Sequence, residues 1–259
     1  LALPEVDTEY VVFIDNDVQV TPGWLRKLVK CADETNAWVV SPLLLDSAYS
    51  KLIYNSISGK FKQQNIHMAG GYCQLQEKEG KKDLYEKRRF AKNSLSQVSS
   101  KLQRETTELI DFHCFLVRTA IFSQIGYFDE KLMSIVEASD FCLTVRNAGR
   151  TIYFEPDSVV IYVLPVWLQW YDLSYFLLRW SNNWNQASLN YFQQKWGLPE
   201  DSRFITLGDK RVNSHRLVPL QYIPNLLLKL LPWQQLKISV LPWFSRICSR
   251  YFKSIVCEE

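Results

Sequence analysis

The stretch "EYVVFIDNDVQVTPGWL", Glu9 to Leu25, carries an apolar run from Tyr10 to Ile14 that opens onto two carboxylates, Asp15 and Asp17, with one residue between them. Five consecutive β-branched or aromatic residues read as a strand covered on both faces, as in a parallel sheet under helices. Asp15 then falls at the carboxyl end of that strand, the edge where α/β sheets bind ligands. Thr21 predicts an N-cap with Pro22 at the first helical position, and Trp24, Leu25, Leu28, Val29 and Ala32 share one face at helical spacing. A second apolar run, Ala37 to Leu45, completes a β-α-β unit.

Two carboxylates placed this closely repel, and a hard divalent cation, Mn2+ or Mg2+, relieves the repulsion while recruiting phosphate oxygens. The pair therefore suits a metal-bound phosphate or diphosphate. It also fits a plainer reading, with Asp15 capping a turn and Asp17 solvated. A third reading is a phosphohydrolase of the haloacid dehalogenase type, with Asp15 as nucleophile and Asp17 as acid. That enzyme also wants a downstream Lys and a paired-Asp metal motif, and the sequence offers no convincing "DD" or "GDxxxD".

A second acidic pair, Glu137 and Asp140, opens a predicted helix from Glu137 to Ala148 that Gly149 stops. Three residues apart, they share a face of the first turn, where the helix dipole favours anions. One could act as general base or hold an acceptor hydroxyl; both could equally be helix-start capping.

With 259 residues and 47% apolar content, the chain can bury a sizeable core. Lys+Arg 30 against Asp+Glu 27 is nearly balanced, so nothing global argues for nucleic-acid binding. The cationic excess is local: Arg203 to Glu259 holds nine Lys and Arg against three Asp and Glu, a basic tail on a mildly acidic body. Six cysteines lie far apart without a CxxC pair or zinc-finger histidines, which suits a reducing compartment. No apolar run reaches the ~18 residues that span a bilayer.

Between Tyr54 and His113 the pattern weakens: Ser58-Gly59 and Gly70-Gly71 mark turns, and Glu77 to Glu108 reads as an exposed, mobile loop with some helix. Phe112 to Val117 is strand-like, and Thr119 caps a short helix that Gly126 ends. Two short strands, Thr151–Phe154 and Ser158–Val163, are expected around Pro156. Asp172 to Lys195 reads as one long helix with a stripe of Leu173, Phe176, Leu177, Trp180, Trp184, Ala187 and Tyr191. The prolines and mixed apolar and basic residues beyond it read as short amphipathic helices.

The order of these motifs resembles the family 2 glycosyltransferases of the A-type fold. It comprises a strand ending in Asp-Asn-Asp, "V-x-P-G-W-L", "GG" near position 70, "G-Y-F-D-E", an acidic cluster, "R-N-A-G" and "E-P-D-S-V-V". The resemblance runs from about Val6 to Val163, and "LRWSNNWNQASLNYFQQKWGL" looks like the helical extension of a bacterial subgroup. It implies an α/β fold with a mixed, mainly parallel sheet. The expected domains are a catalytic core over 1–165, a helical extension over 166–200 and a basic amphipathic tail over 201–259.

The resemblance implies metal-dependent, inverting transfer from a nucleotide-sugar donor, UDP- or dTDP-linked, to a glycan or lipid-linked acceptor. It makes Asp15 and Asp17 the pair that holds Mn2+ or Mg2+ on the donor diphosphate, and gives Glu137 and Asp140 the acceptor contact and the base. Trp24, Gly70 and Gly71 become candidate substrate contacts, each with a packing or turn role as the alternative. A cytoplasmic location follows, with peripheral contact at the inner face of the membrane through the basic tail.

The sequence departs from the family pattern in three ways. The nucleotide-recognising half that usually precedes the Asp-x-Asp strand is expected and not seen; Ala138 stands where the acidic motif has Asp after Glu; and Tyr162 stands where a metal-proximal His is often found. Loss of that His would weaken metal binding, and the Ala138 change admits a catalytically degenerate transferase acting as a binding module. His113, beside Phe112 and Phe115, reads as a core-edge histidine.

Overall fold

A computed structural model describes residues 3–47, 65–78, 80–163 and 172–216. The predicted turn at Ser58-Gly59, and the tail beyond 216 with Cys248 and Cys257, lie outside the described residues. The chain groups into two compact units, cut by segments rather than by contiguous ranges. One holds Leu1–Leu75, Tyr85–Phe128 and Ala138–Val166; the other holds Gln76–Leu84, Asp129–Glu137 and Trp167–Glu259.

The first unit is built on a seven-stranded mixed sheet. Its strands are β1 (Tyr10–Ile14), β2 (Val18–Val20), β3 (Val39–Asp46), β4 (Ile66–Met68), β7 (Glu105–Thr106), β8 (Cys114–Arg118) and β9 (Ile152–Tyr162). The main order is β1-β8-β3-β9-β2, with β4 on β3 and β7 on β9. The β3–β9 ladder is parallel, and the other ladders described are antiparallel, so the sheet is mixed as expected but not mainly parallel. The reason is β8, which runs antiparallel between β1 and β3 and takes the place a parallel neighbour would have had. Accordingly β1 is half-buried rather than covered on both faces, while β3 is buried along almost its whole length.

Alternation along β1 and β8 divides the core between the two faces of the sheet. Val12, opposite Leu116, packs with Tyr10 on the buried residues Leu28, Cys31 and Ala32 of helix α1 (Trp24–Thr35). Phe13, opposite Phe115, faces the other way and stacks on it with ring centroids 5.0 Å apart. Phe112, Phe122, Phe128 and Phe141 close around that pair. Fully burying a side chain such as Phe115 is worth about 1.5–3 kcal/mol, so this aromatic cluster is a main anchor of the unit.

Several local expectations shift for identifiable reasons. Helix α1 starts at Trp24, because Gly23 adopts the left-handed region (φ 77°) and Thr21 donates its hydroxyl to the Val159 carbonyl at 2.7 Å instead of capping. Leu25, predicted on the inner face, is 44% exposed. The stretch read as a mobile loop holds a two-stranded ribbon, β5 (Gly71–Lys78) and β6 (Lys81–Arg88), and a short helix, α2 (Leu95–Val98). Charged residues line much of β6, which left no hydrophobic period to read.

Thr119 opens a 3-10 turn that leads into α3 (Phe122–Ile125), stopped by Gly126, and its hydroxyl donates to the Thr8 carbonyl. The two strands expected around Pro156 are one strand, β9, whose pairing with β3 slips between Glu155 and Val159. A bulge accommodates a proline that cannot donate to the ladder. Helix α4 (Glu137–Asn147) follows the predicted span closely.

Within the second unit, the single long helix predicted from Asp172 is two: α5 (Leu173–Arg179) and α6 (Asn182–Trp196). Ser181 breaks the run, adopting an extended backbone and accepting from the Trp184 amide as an N-cap. The break changes the inward face: Asn185, Ser188, Leu189, Phe192 and Trp196 are buried, and the predicted Ala187 is exposed. Helix α7 (Arg203–Arg216) packs on α6, with Gly208 so near Leu189 that a Cβ there would stand 2.7 Å from its Cδ2. Asp83 serves the start of α7, accepting from the Ser202 hydroxyl at 2.7 Å and the Arg203 amide at 3.2 Å.

Candidate functional site

The segment Asp15–Asp17 is a tight connection between β1 and β2, closed by the Val18 amide donating to the Asp15 carbonyl at 3.2 Å. Backbone bonds hold it from both sides. The Asp15 amide donates to the His113 carbonyl at 2.9 Å, and the Asp17 carbonyl accepts from the Val163 amide at 2.7 Å. Asp15 and Asp17 therefore leave their strand where the start of β8 and the end of β9 meet it.

Donor atoms of Asp15, Asp17 and His113 lie within 4.8 Å of one another. Asp17 Oδ1 is buried and has no hydrogen-bond partner among the described residues. Leaving such an oxygen unmet costs about 1–3 kcal/mol, a cost that a cation at this point removes. Two carboxylates and one imidazole form a donor set that fits Mn2+ and also Mg2+.

Behind His113 stands a second polar layer. Asp111 Oδ1 accepts from the His113 amide at 3.2 Å and pairs with His113 Nδ1, while Asp111 Oδ2 lies 3.2 Å from Arg88 Nη2. Arg88 Nη1 donates to His67 Nε2 at 2.7 Å, which leaves His67 Nδ1 to donate to Asp46 Oδ1 at 2.8 Å. Burial alone would raise the Asp111 carboxyl; His113, His67 and the Arg88 guanidinium outweigh it and hold that carboxyl well below the usual carboxylate range.

The phenol of Tyr162 is pushed up to about 12, first by burial and then by the negative charge of Asp17, Asp111, Asp15 and Asp46. Its ring lies 4.2 Å from that of His113 and 5.1 Å from that of His67. Four carboxylates act on one tyrosine, and Arg88 is paired with Asp111 among them, so the region favours an added cation.

The other sequence-predicted residues fall in different settings. Glu137 opens α4, is half-buried and lies 3.8 Å from Arg179 Nη1; Asp140, one turn on, is 5% exposed. Trp24 starts α1, packs partly buried on the Leu28 cluster, and its carbonyl accepts from the Ser158 hydroxyl. Gly70 has φ 67°, and a Cβ there would meet Thr107 Oγ1 at 2.6 Å; one on Gly71 would meet the Lys87 carbonyl at 2.7 Å. Both glycines thus answer a close approach within the fold.

Sequence reasoning placed His113 at the core edge, which its half-buried position fits, but did not single out its closeness to Asp15 and Asp17 or the layer of Asp46, His67, Arg88 and Asp111. "DFHCF" held a signal: an acid two residues before a histidine at the mouth of an apolar strand. The partners of that histidine come from other strands, and no spacing announces them.

The family model of glycosyl transferase family 2 matches residues 1–126. Among solved structures, the chain is similar to "Crystal structure of GalNAc-T7 with UDP, GalNAc and Mn2+", with 16% identity and a TM-score of 0.43. That similarity covers 82% of this chain and 39% of the other, so this chain spans well under half the length of its neighbour. No curated protein matches the chain. The family match covers residues 1–126, just under half of the chain, and makes that segment, which carries Asp15 and Asp17 at a strand end of a mixed α/β sheet, similar to glycosyl transferase family 2.

Proposed function

We propose that the chain takes part in metal-dependent, inverting transfer of a sugar from a nucleotide-sugar donor, UDP- or dTDP-linked, to a glycan or lipid-linked acceptor. The observation that carries this reading is the convergence of Asp15, Asp17 and His113 at the end of β1, with Asp17 Oδ1 buried and unmet. Asp15 and Asp17 would hold Mn2+ or Mg2+ against the donor diphosphate. When bound, the cation supplies Lewis-acid neutralisation of the departing nucleoside diphosphate.

Of the two acids on α4, Glu137 is the more accessible and is proposed as the base that takes the proton of the acceptor hydroxyl. Asp140, buried, is proposed to orient that end of the helix and the acceptor. Substrate contact by Trp24, Gly70 and Gly71 is part of the proposal and competes with the packing roles that already account for them. No described helix is long and apolar enough to cross a membrane. A cytoplasmic location and peripheral contact of the basic tail with the inner membrane face belong to the proposal, and that tail lies largely outside the described residues.

A second reading, a degenerate transferase that binds glycan without turnover, draws on Ala138 in the acidic motif. Incubation of the chain with UDP- and dTDP-sugars and Mn2+ separates the readings. Release of nucleoside diphosphate supports the transferase, and glycan binding without release supports the degenerate form. Rapid hydrolysis of an aryl phosphate would instead support the dehalogenase-type phosphohydrolase, a reading the family match disfavours.

A further inference from the structure

We propose that His113 is the third protein ligand of the cation held by Asp15 and Asp17, and that Asp111 is the positioning residue that aims it. This rests on the metal-site reading above and deepens it. The family resemblance expects a histidine after the last strand of the core, where this chain has Tyr162. In the structure a histidine reaches the same place from the opposite side, at the mouth of β8.

The hydrogen bonds fix which nitrogen is available. An ionised carboxylate only accepts, so the Asp111 contact requires a proton on His113 Nδ1. Nε2 then carries the lone pair, and it is the nitrogen left for a cation beside Asp15 and Asp17. A carboxylate that holds the far nitrogen of a ligating histidine fixes both tautomer and ring orientation. Asp111 is in turn held by the His113 amide and by Arg88, and Arg88 is braced by His67 and Asp46. The ring of Tyr162, 4.2 Å from that of His113, limits its swing.

His67, Asp111 and His113 also lie close enough together to suggest a second cation site. The guanidinium of Arg88 already occupies it: Nη1 is 2.7 Å from His67 Nε2 and Nη2 is 3.2 Å from Asp111 Oδ2. A divalent ion there would face a fixed positive charge and find His67 Nε2 already engaged. The layer is therefore a support for one metal site, and the expected stoichiometry is one cation per chain.

The test is Mn2+ titration of the chain, with free Mn2+ followed by electron paramagnetic resonance and nitrogen coordination by the 14N modulation of the bound ion. The metal-free wild type should show the Nδ1–H tautomer of His113 by two-bond 15N–1H correlation, and the Mn2+-bound wild type should show 14N coupling. His113→Ala should lose the coupling, and Asp111→Asn should weaken Mn2+ binding by about 10–100-fold. Both wild-type spectra decide the matter even if a variant fails to fold. An Nε2–H tautomer, absent 14N coupling, or two Mn2+ per chain would overturn the proposal. If coupling is absent while Asp17→Ala still abolishes Mn2+ binding, the metal-site reading stands and this inference alone falls. If Asp17→Ala leaves Mn2+ binding unchanged, the reading beneath it falls as well.

Discussion

The amide of Asp15 donates to the carbonyl of His113 at 2.9 Å, so a proposed metal carboxylate and the candidate imidazole are carried by adjoining strand ends of one ladder. A backbone rung sets their separation without help from a flexible loop. Preorganisation of this kind is what a cation site needs, because the entropy of gathering the ligands has been spent in folding the sheet.

Gly70→Ala should destabilise the chain by about 1–3 kcal/mol, since alanine there must hold a left-handed backbone. Its Cβ would also press on Thr107 Oγ1 at 2.6 Å and Arg89 Nη2 at 2.7 Å. Urea unfolding followed by circular dichroism gives the value, and an unchanged midpoint would remove the packing explanation for this glycine.

Arg104→Met should leave Glu155, which is 1% exposed, without the guanidinium that meets it at 2.5 Å. Arg104 is partly exposed, so the loss should be about 2–3 kcal/mol, below the ~3–5 of a fully buried pair. Adding Glu155→Gln to Arg104→Met should restore part of that stability in a double-mutant cycle; a purely additive further loss would contradict the pairing.

Glu137→Gln should lower turnover by about 100-fold or more while leaving Mn2+ affinity unchanged, as expected for removal of a general base. Asp140→Asn, at a buried position, should act mainly on stability. If Asp140→Asn abolishes turnover in a folded protein and Glu137→Gln does not, the base assignment is reversed.

Asp129 provides a pH test. Burial tends to raise its carboxyl, but hydrogen bonds from Lys195 and Tyr191 prevail and hold it below its ordinary 3.8. A carboxyl depressed by folding adds stability above its unfolded value, and that stability is lost as pH falls through the folded value. The stability gap between wild type and Asp129→Asn should therefore be full near neutrality and shrink below pH 3.8. A gap that widens in acid would contradict the assignment.

What could be read from sequence was local. The strand Tyr10–Ile14, the helix from Glu137 and the stop at Gly197 each follow from a run, a cap or a glycine confined to a few residues. Asp15 and Asp17 could be paired from sequence because both lie in one short stretch. The insertion of β8 beside β1 was not legible, because strand order is decided by contacts between distant segments. The surroundings of His113 were hidden for the same reason, since Asp111 is local while Arg88, His67 and Asp46 reach that place through β6, β4 and β3. The helix break at Ser181 stayed hidden because the apolar spacing runs on through it.

The most direct test of the central claim is nucleoside diphosphate release from UDP- and dTDP-sugars by wild type and Asp17→Ala, each with Mn2+ and again after chelation. Release by the wild type that falls about 100-fold or more on chelation or on Asp17→Ala is the expected result. Equal release by the variant, or release indifferent to chelation, would contradict a transferase that works through a cation at Asp15 and Asp17.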